Sequence, residues 1–168
     1  MIRADRTRRP AIALLLVLSA CGPSLPVEGP SLPVEGPSLP VEGVPQGTLV
    51  IEGNSPVQVD VAIAETDEAK ARGLMGVEEM EANAGMVFLQ DQPARIQFWM
   101  KDTLIPLSIA FWGPDRRIAT ILDMDPCRTA TCPTYDPEIE WVGALEVNQG
   151  FFDQNGIEEG ASVRLERG

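Results

Sequence analysis

Leu107-Ser108-Ile109-Ala110-Phe111-Trp112-Gly113-Pro114-Asp115-Arg116-Arg117-Ile118-Ala119-Thr120-Ile121-Leu122-Asp123-Met124 is the stretch that decides the fold class. Two apolar runs, 107–112 and 117–124, flank Gly113-Pro114-Asp115-Arg116, where proline and aspartate stand as a tight reversal requires. The reading is a β-hairpin. N-terminal to it, Val57-Gln58-Val59-Asp60-Val61-Ala62-Ile63-Ala64 carries a β-branched residue at every odd position and a small or polar one at every even position, the pattern of a half-buried strand. Residues 48–52 are expected to pair with it across a turn at 53–56. Two further strands are read at 86–89 and 95–100, joined by polar residues 90–93, and the last two at 144–148 and 162–166. Thr66 is a suitable N-cap for a short helix, with Asp67 and Glu68 at its positive end, Lys70 and Arg72 toward the other, and Gly73 closing it. Residues 151–155 allow one helical turn, closed by Gly156, with Ile157 as the apolar contact after the cap. The expected fold is mainly β: a compact sandwich or partly open barrel of seven to eight short strands with one or two short helices.

Upstream the chain changes character. Four arginines among the first ten residues precede the apolar run Ala11-Ile12-Ala13-Leu14-Leu15-Leu16-Val17-Leu18. That run is too short to cross a bilayer, which takes about 20 apolar residues, but it suits the core of a signal peptide. Leu18-Ser19-Ala20-Cys21 resembles the lipobox of bacterial lipoproteins, which implies cleavage before Cys21 and lipidation there. Residues 1–20 are thus expected to be a lipoprotein signal peptide, and the membrane a partner through lipid on Cys21. Gly-Pro-Ser-Leu-Pro-Val-Glu then repeats at 22–28, 29–35 and 36–42. Two prolines in seven residues bar both helix and sheet, so 21–47 is expected to be a lipid-anchored tether and 48–168 a single β-rich domain. The expected location is the membrane surface, with the domain facing the periplasm or the cell exterior.

The 168-residue chain carries a formal charge of -12. Removing the first 20 residues, with their four arginines and one aspartate, leaves nine basic and 24 acidic side chains, a charge of -15. Such a surface repels phosphate backbones, so nucleic acid is not an expected partner. The chain has no histidine, which excludes a Ser-His-Asp triad, a Cys-His pair and histidine-based zinc sites. No cofactor and no metal are expected. Met75, Met80, Met86, Met100 and Met124 invite a copper(I) reading, but their alternation with Leu74, Phe88 and Phe98 is what core packing requires. Cys127 and Cys132, in a loop marked by Pro126 and Pro133, form an even pair outside the cytoplasm and are read as a disulfide.

Several stretches together resemble one family. They are Ala71-Arg72-Gly73-Leu74-Met75, Gly85-Met86-Val87-Phe88, Phe98-Trp99-Met100-Lys101-Asp102-Thr103-Leu104-Ile105-Pro106-Leu107, Pro126-Cys127 with Cys132-Pro133-Thr134-Tyr135, and Ala144-Leu145-Glu146-Val147-Asn148 with Gly150. In order and spacing they are similar to the domain-of-unknown-function 192 family. The resemblance implies a compact β-rich domain, often exported, without an established activity. It also implies two departures: Asp102 stands where the family usually has asparagine, and Ser108 where it often has aspartate.

The candidate ligand-binding residues are Arg72, Trp99, Lys101, Thr103, Tyr135 and Glu146. On an extended strand Ile96, Phe98 and Met100 share one face, assigned to the core, and Arg95, Gln97, Trp99 and Lys101 share the other. Tryptophan among long polar side chains can stack a sugar or another flat ligand and hydrogen-bond its edges. Glu146 points away from Leu145 and Val147, with Arg72 as its natural counter-ion. As half of a carboxylate pair with Asp102, Asp123 or Asp136 it could serve acid-base hydrolysis in the envelope. The leading expectation is binding of a small ligand or envelope component without catalysis. The alternatives are that hydrolase and a structural module that recruits a protein partner.

Overall fold

The computed structural model describes residues 41, 43–53 and 55–168; the expected signal peptide, Cys21 and the three repeats, apart from Val41, lie outside the described residues. In chain order the elements are β1 (Gln46–Glu52), β2 (Val57–Ala64), α1 (Asp67–Arg72), β3 (Ala84–Ala94), β4 (Phe98–Trp99), β5 (Leu107–Trp112), β6 (Ile118–Met124), β7 (Thr134–Tyr135), β8 (Trp141–Asn148), α2 (Phe151–Gln154) and β9 (Ser162–Arg167). Seven strands form one curled, half-barrel sheet in the order β6-β5-β8-β3-β2-β1-β9, and β4 with β7 makes a separate two-stranded ribbon. The domain is mainly β with two short helices, as the patterning requires.

The local elements follow their sequence signals. The β5–β6 hairpin pairs Leu107 with Met124 and Ile109 with Leu122, and β1 pairs with β2 from Ile51 opposite Val57 to Gln46 opposite Ala62. Thr66 caps α1 by accepting the Ala69 N–H at 3.2 Å, and Gly73 ends the helix at φ 47°, a conformation that suits glycine. Ile157 is buried against the inner core and its N–H bonds the Phe152 carbonyl, completing the α2 cap.

The long-range arrangement is what places the site. β2 and β3 are parallel, joined through α1, while every other pair in the large sheet is antiparallel. The two sheet edges meet where Ile118 N–H donates to Ala161 and Val163 N–H to Arg116, and Phe151, Phe152 and Ile157 pack into the curl. This inner face holds Leu49, Val61, Val87, Trp112, Leu145 and Val147. The outer face carries a second core of Met86, Phe88, Met100, Ile109, Phe111, Trp141 and Ala144, covered by Leu74 after α1 and by Phe98 and Tyr135 of the ribbon. Met86, Met100 and Met124 are therefore core side chains.

Three readings are corrected by this double cover. The strand at 57–64 is not half-buried: Val59, Val61 and Ile63 enter the inner core while Ala62 and Ala64 enter the outer one. The strand expected at 95–100 is reduced to Phe98–Trp99, because the chain leaves β3 at Ala94 and re-pairs only opposite β7. Ile96 is consequently 42% exposed rather than in the core, held by its carbonyl accepting the Trp141 indole N–H at 3.0 Å. Cys127 and Cys132 form a disulfide with Cα atoms 5.9 Å apart. Gly143 is required where β8 faces Trp112 of β5, since a Cβ there would overlap the Trp112 ring.

Candidate functional site

Glu146 lies in the middle of β8, opposite Met86 on β3 and Ile109 on β5. Strand alternation sends Leu145 and Val147 to the inner core and turns Glu146 to the outer face. It is 4% exposed, and burial alone pushes its carboxyl up to about 8. Among the described residues no side chain bonds or pairs with it; the ion pair expected from Arg72 does not form. Thr103 is likewise 4% exposed, and its hydroxyl also makes no bond among the described residues. No polar side-chain atom among the described residues is fully sealed without a partner, so the Glu146 oxygens and the Thr103 hydroxyl reach a surface rather than the core.

That surface is a recess of about 30 Å³, the share of one water molecule. Glu146 and Phe88 belong to the sheet that floors it. Lys70, Arg72 and Gly73 contribute from the end of α1, and Phe98, Trp99, Lys101 and Thr103 from β4 and the loop after it. A second hollow of about 290 Å³ shares Lys70, Phe88, Phe98 and Trp99 and adds Asp67, Gln90, Ile96, Gln97 and Trp141. Trp99, 53% exposed, borders both. Phe98 is fixed beneath it by edge contacts to Phe88 (4.9 Å) and Phe111 (5.5 Å) and a tilted one to Trp141 (5.6 Å).

The loop bearing Lys101 and Thr103 is held by main-chain bonds. Asp102 N–H donates to Cys127 at 2.8 Å, its carbonyl accepts from Gly76 at 2.9 Å, and Lys101 and Thr103 both bridge to Cys127. The disulfide thus braces the strip opposite this loop. Asp102 sits at φ 53°, in the left-handed region that asparagine and aspartate tolerate best among residues with side chains. This backbone accepts aspartate as readily as the asparagine that the resemblance implies there. The Asp102 carboxylate pairs with Lys101 Nζ at 2.8 Å on the surface.

Five of the six candidate ligand-binding residues, Arg72, Trp99, Lys101, Thr103 and Glu146, border this one recess. Tyr135 does not: it pairs with Phe98 across the ribbon and its hydroxyl accepts the Asp125 N–H at 2.9 Å, a bracing role. Of the carboxylates considered as partners of Glu146, Asp102 is taken up by Lys101 at the rim, and the other two are engaged elsewhere. Asp136 takes both ends of the Arg95 guanidinium, at 3.0 and 2.9 Å, and the Gln97 amide at 2.8 Å; these bonds hold it well below the usual carboxylate range. Asp123 accepts from Ser108 Oγ at 2.5 Å, beside a separate hollow that also includes Gly150 and Phe152. The Ser108 hydroxyl in turn accepts the Gly150 N–H. Sequence reasoning missed Lys70, whose Nζ donates to Gln90 at 3.3 Å; its place in the last turn of α1, with Arg72, was the available signal. No group of three or more Cys, Asp or Glu side chains suited to a metal ion occurs among the described residues.

A family model described as DUF192, uncharacterized ACR, matches residues 48–165, more than half of the chain. Among solved structures, the chain is similar to a candidate transcription regulator of Sinorhizobium meliloti 1021, with a TM-score of 0.68 and 23% identity over 74% of this chain and 98% of that one. It is also similar to a protein of unknown function from Novosphingobium aromaticivorans DSM 12444, with a TM-score of 0.68 and 29% identity over 78% of this chain and 94% of that one. The first likeness concerns the fold alone. No curated protein matches the chain.

Proposed function

The chain belongs to the DUF192 family, and from that premise we propose that it is a lipid-anchored, extracytoplasmic β-domain that binds a small flat ligand of the envelope, such as a sugar ring, without catalysis. The observation that carries the reading is the pair of buried polar side chains, Glu146 and Thr103, that have no partner among the described residues and open into a recess bordered by the exposed Trp99. Their polar atoms reach the surface of the recess, so a ligand hydroxyl seated there supplies the partner that the fold does not. Trp99 offers an apolar platform, and Lys101 and Arg72 offer donors at the rim.

Binding is favoured over hydrolysis because, among the described residues, Glu146 is the one carboxylate bordering the recess, while Asp136 and Asp123 are engaged outside it and Asp102 is taken up by Lys101 at its rim. The proposed location rests on the charged start, the apolar run and the lipobox-like Leu18-Ser19-Ala20-Cys21. Mass spectrometry of the purified mature protein tests it: the expected N-terminus is a lipid-modified Cys21, and an unmodified Cys21 refutes the anchor. For the site, Trp99→Ala with Lys101→Ala is compared with the unaltered chain against a saccharide panel. The double variant should unfold at the same urea concentration yet lose binding; unchanged binding refutes the site.

A further inference from the structure

The charge around this recess runs against the charge of the chain. Acidic residues outnumber basic ones by 25 to 13, and only nine of the basic residues lie beyond the first ten positions. Three of those nine, Lys70, Arg72 and Lys101, border a recess whose one carboxyl is Glu146. Arg72 has no ion pair among the described residues, and Lys70 is bonded to a neutral amide. Lys101 has Asp102, but that pair is exposed and is the kind worth at most about 1 kcal/mol, so an incoming anion can replace Asp102. Glu146 is buried without a counter-ion, an environment that favours its uncharged, donating form.

The sizes divide the task. The recess over Glu146 and Thr103 admits a group the size of one water, such as a hydroxyl, while the adjoining hollow that shares Trp99 approaches the lower end of small-ligand pockets, about 300 Å³. Resting on the binding role proposed above, we infer that the ligand is an acidic sugar: a pyranose bearing an anionic group, with its ring against Trp99, a hydroxyl toward Glu146 and Thr103, and its acid group met by Arg72 and Lys101. A carboxylate is preferred over a bare inorganic anion because Trp99 and the adjoining hollow have no role in binding phosphate alone. Long-range repulsion from the acidic surface fades over a screening length of about 8 Å at physiological salt, which leaves the rim cations in control near contact.

The test titrates the purified full chain with galacturonate, with galactose and with inorganic phosphate, following the fluorescence of the exposed Trp99. Galacturonate should bind about tenfold or more tightly than galactose, as one charge-assisted hydrogen bond warrants. In the Arg72→Ala, Lys101→Ala variant galacturonate affinity should fall about tenfold or more from that of the unaltered chain, and an unchanged galacturonate affinity overturns the inference. Equal affinity for the two sugars overturns the acidic-ligand inference and leaves the sugar reading standing. Phosphate binding as tight as galacturonate overturns the ring in favour of a bare anion site. Failure of all three probes to perturb Trp99 overturns both the inference and the binding role.

Discussion

Replacing Glu146 with glutamine tests the buried carboxyl directly. In the unfolded chain this group titrates at the ordinary 4.5, and in the native domain burial raises it to about 8. Between those values the native state holds a proton that the unfolded state has released, so stability is fully present below the ordinary value and declines as the pH rises toward the folded one. At 1.36 kcal/mol for each unit, the native domain should lose about 4 kcal/mol between about pH 5 and about pH 9 through this residue alone, and no more above that. The charged groups that share its recess are Lys70 and Arg72 of α1 and Lys101 after β4, and none pairs with it to offset the loss. The assay is urea unfolding at a series of pH values, read from the buried Trp112 and Trp141. The unaltered chain should lose stability with rising pH relative to Glu146→Gln, whatever constant offset the amide introduces. Parallel curves across that range would refute the claim that Glu146 is buried uncharged.

Two other substitutions probe the frame around the site. Gly143→Ala pushes a methyl group into the Trp112 ring across the β5–β8 pair and should cost about 1–3 kcal/mol in urea unfolding, with a smaller loss when Trp112 is also trimmed to leucine. Asp102→Asn should leave stability unchanged, because asparagine accepts the left-handed backbone, and should strengthen rather than weaken acidic-ligand binding by freeing Lys101, whereas Asp102→Val should lower the unfolding midpoint. A loss of function in Asp102→Asn with stability intact would instead give the carboxylate a chemical role.

Local patterns were legible wherever one turn or one period decided the structure. The Gly113-Pro114 reversal, the Thr66 cap and the Ala64-ended strand all follow from neighbours within a few residues. The parallel pairing of β2 with β3 and the insertion of β8 between β5 and β3 were not, because they depend on contacts distant in sequence that leave no periodic trace. Ile96 was misplaced because alternation predicts faces only while a strand remains paired, and here pairing stops at Ala94. At the site, the types at Trp99, Lys101 and Glu146 were readable, but only the fold brings the end of α1 over β8. Tyr135 was grouped with them by its place in a family-like stretch, although its hydroxyl serves the Asp125 backbone.

The most direct test of the account is amide and indole NMR of the full chain during titration with galacturonate. The predicted result is saturable shifts confined to Arg72 and Gly73, the Trp99 indole, and Lys101 to Thr103, with Glu146 and its β8 neighbours following. Shifts centred instead on Ser108, Asp123 and Gly150, or no shifts anywhere, would contradict it.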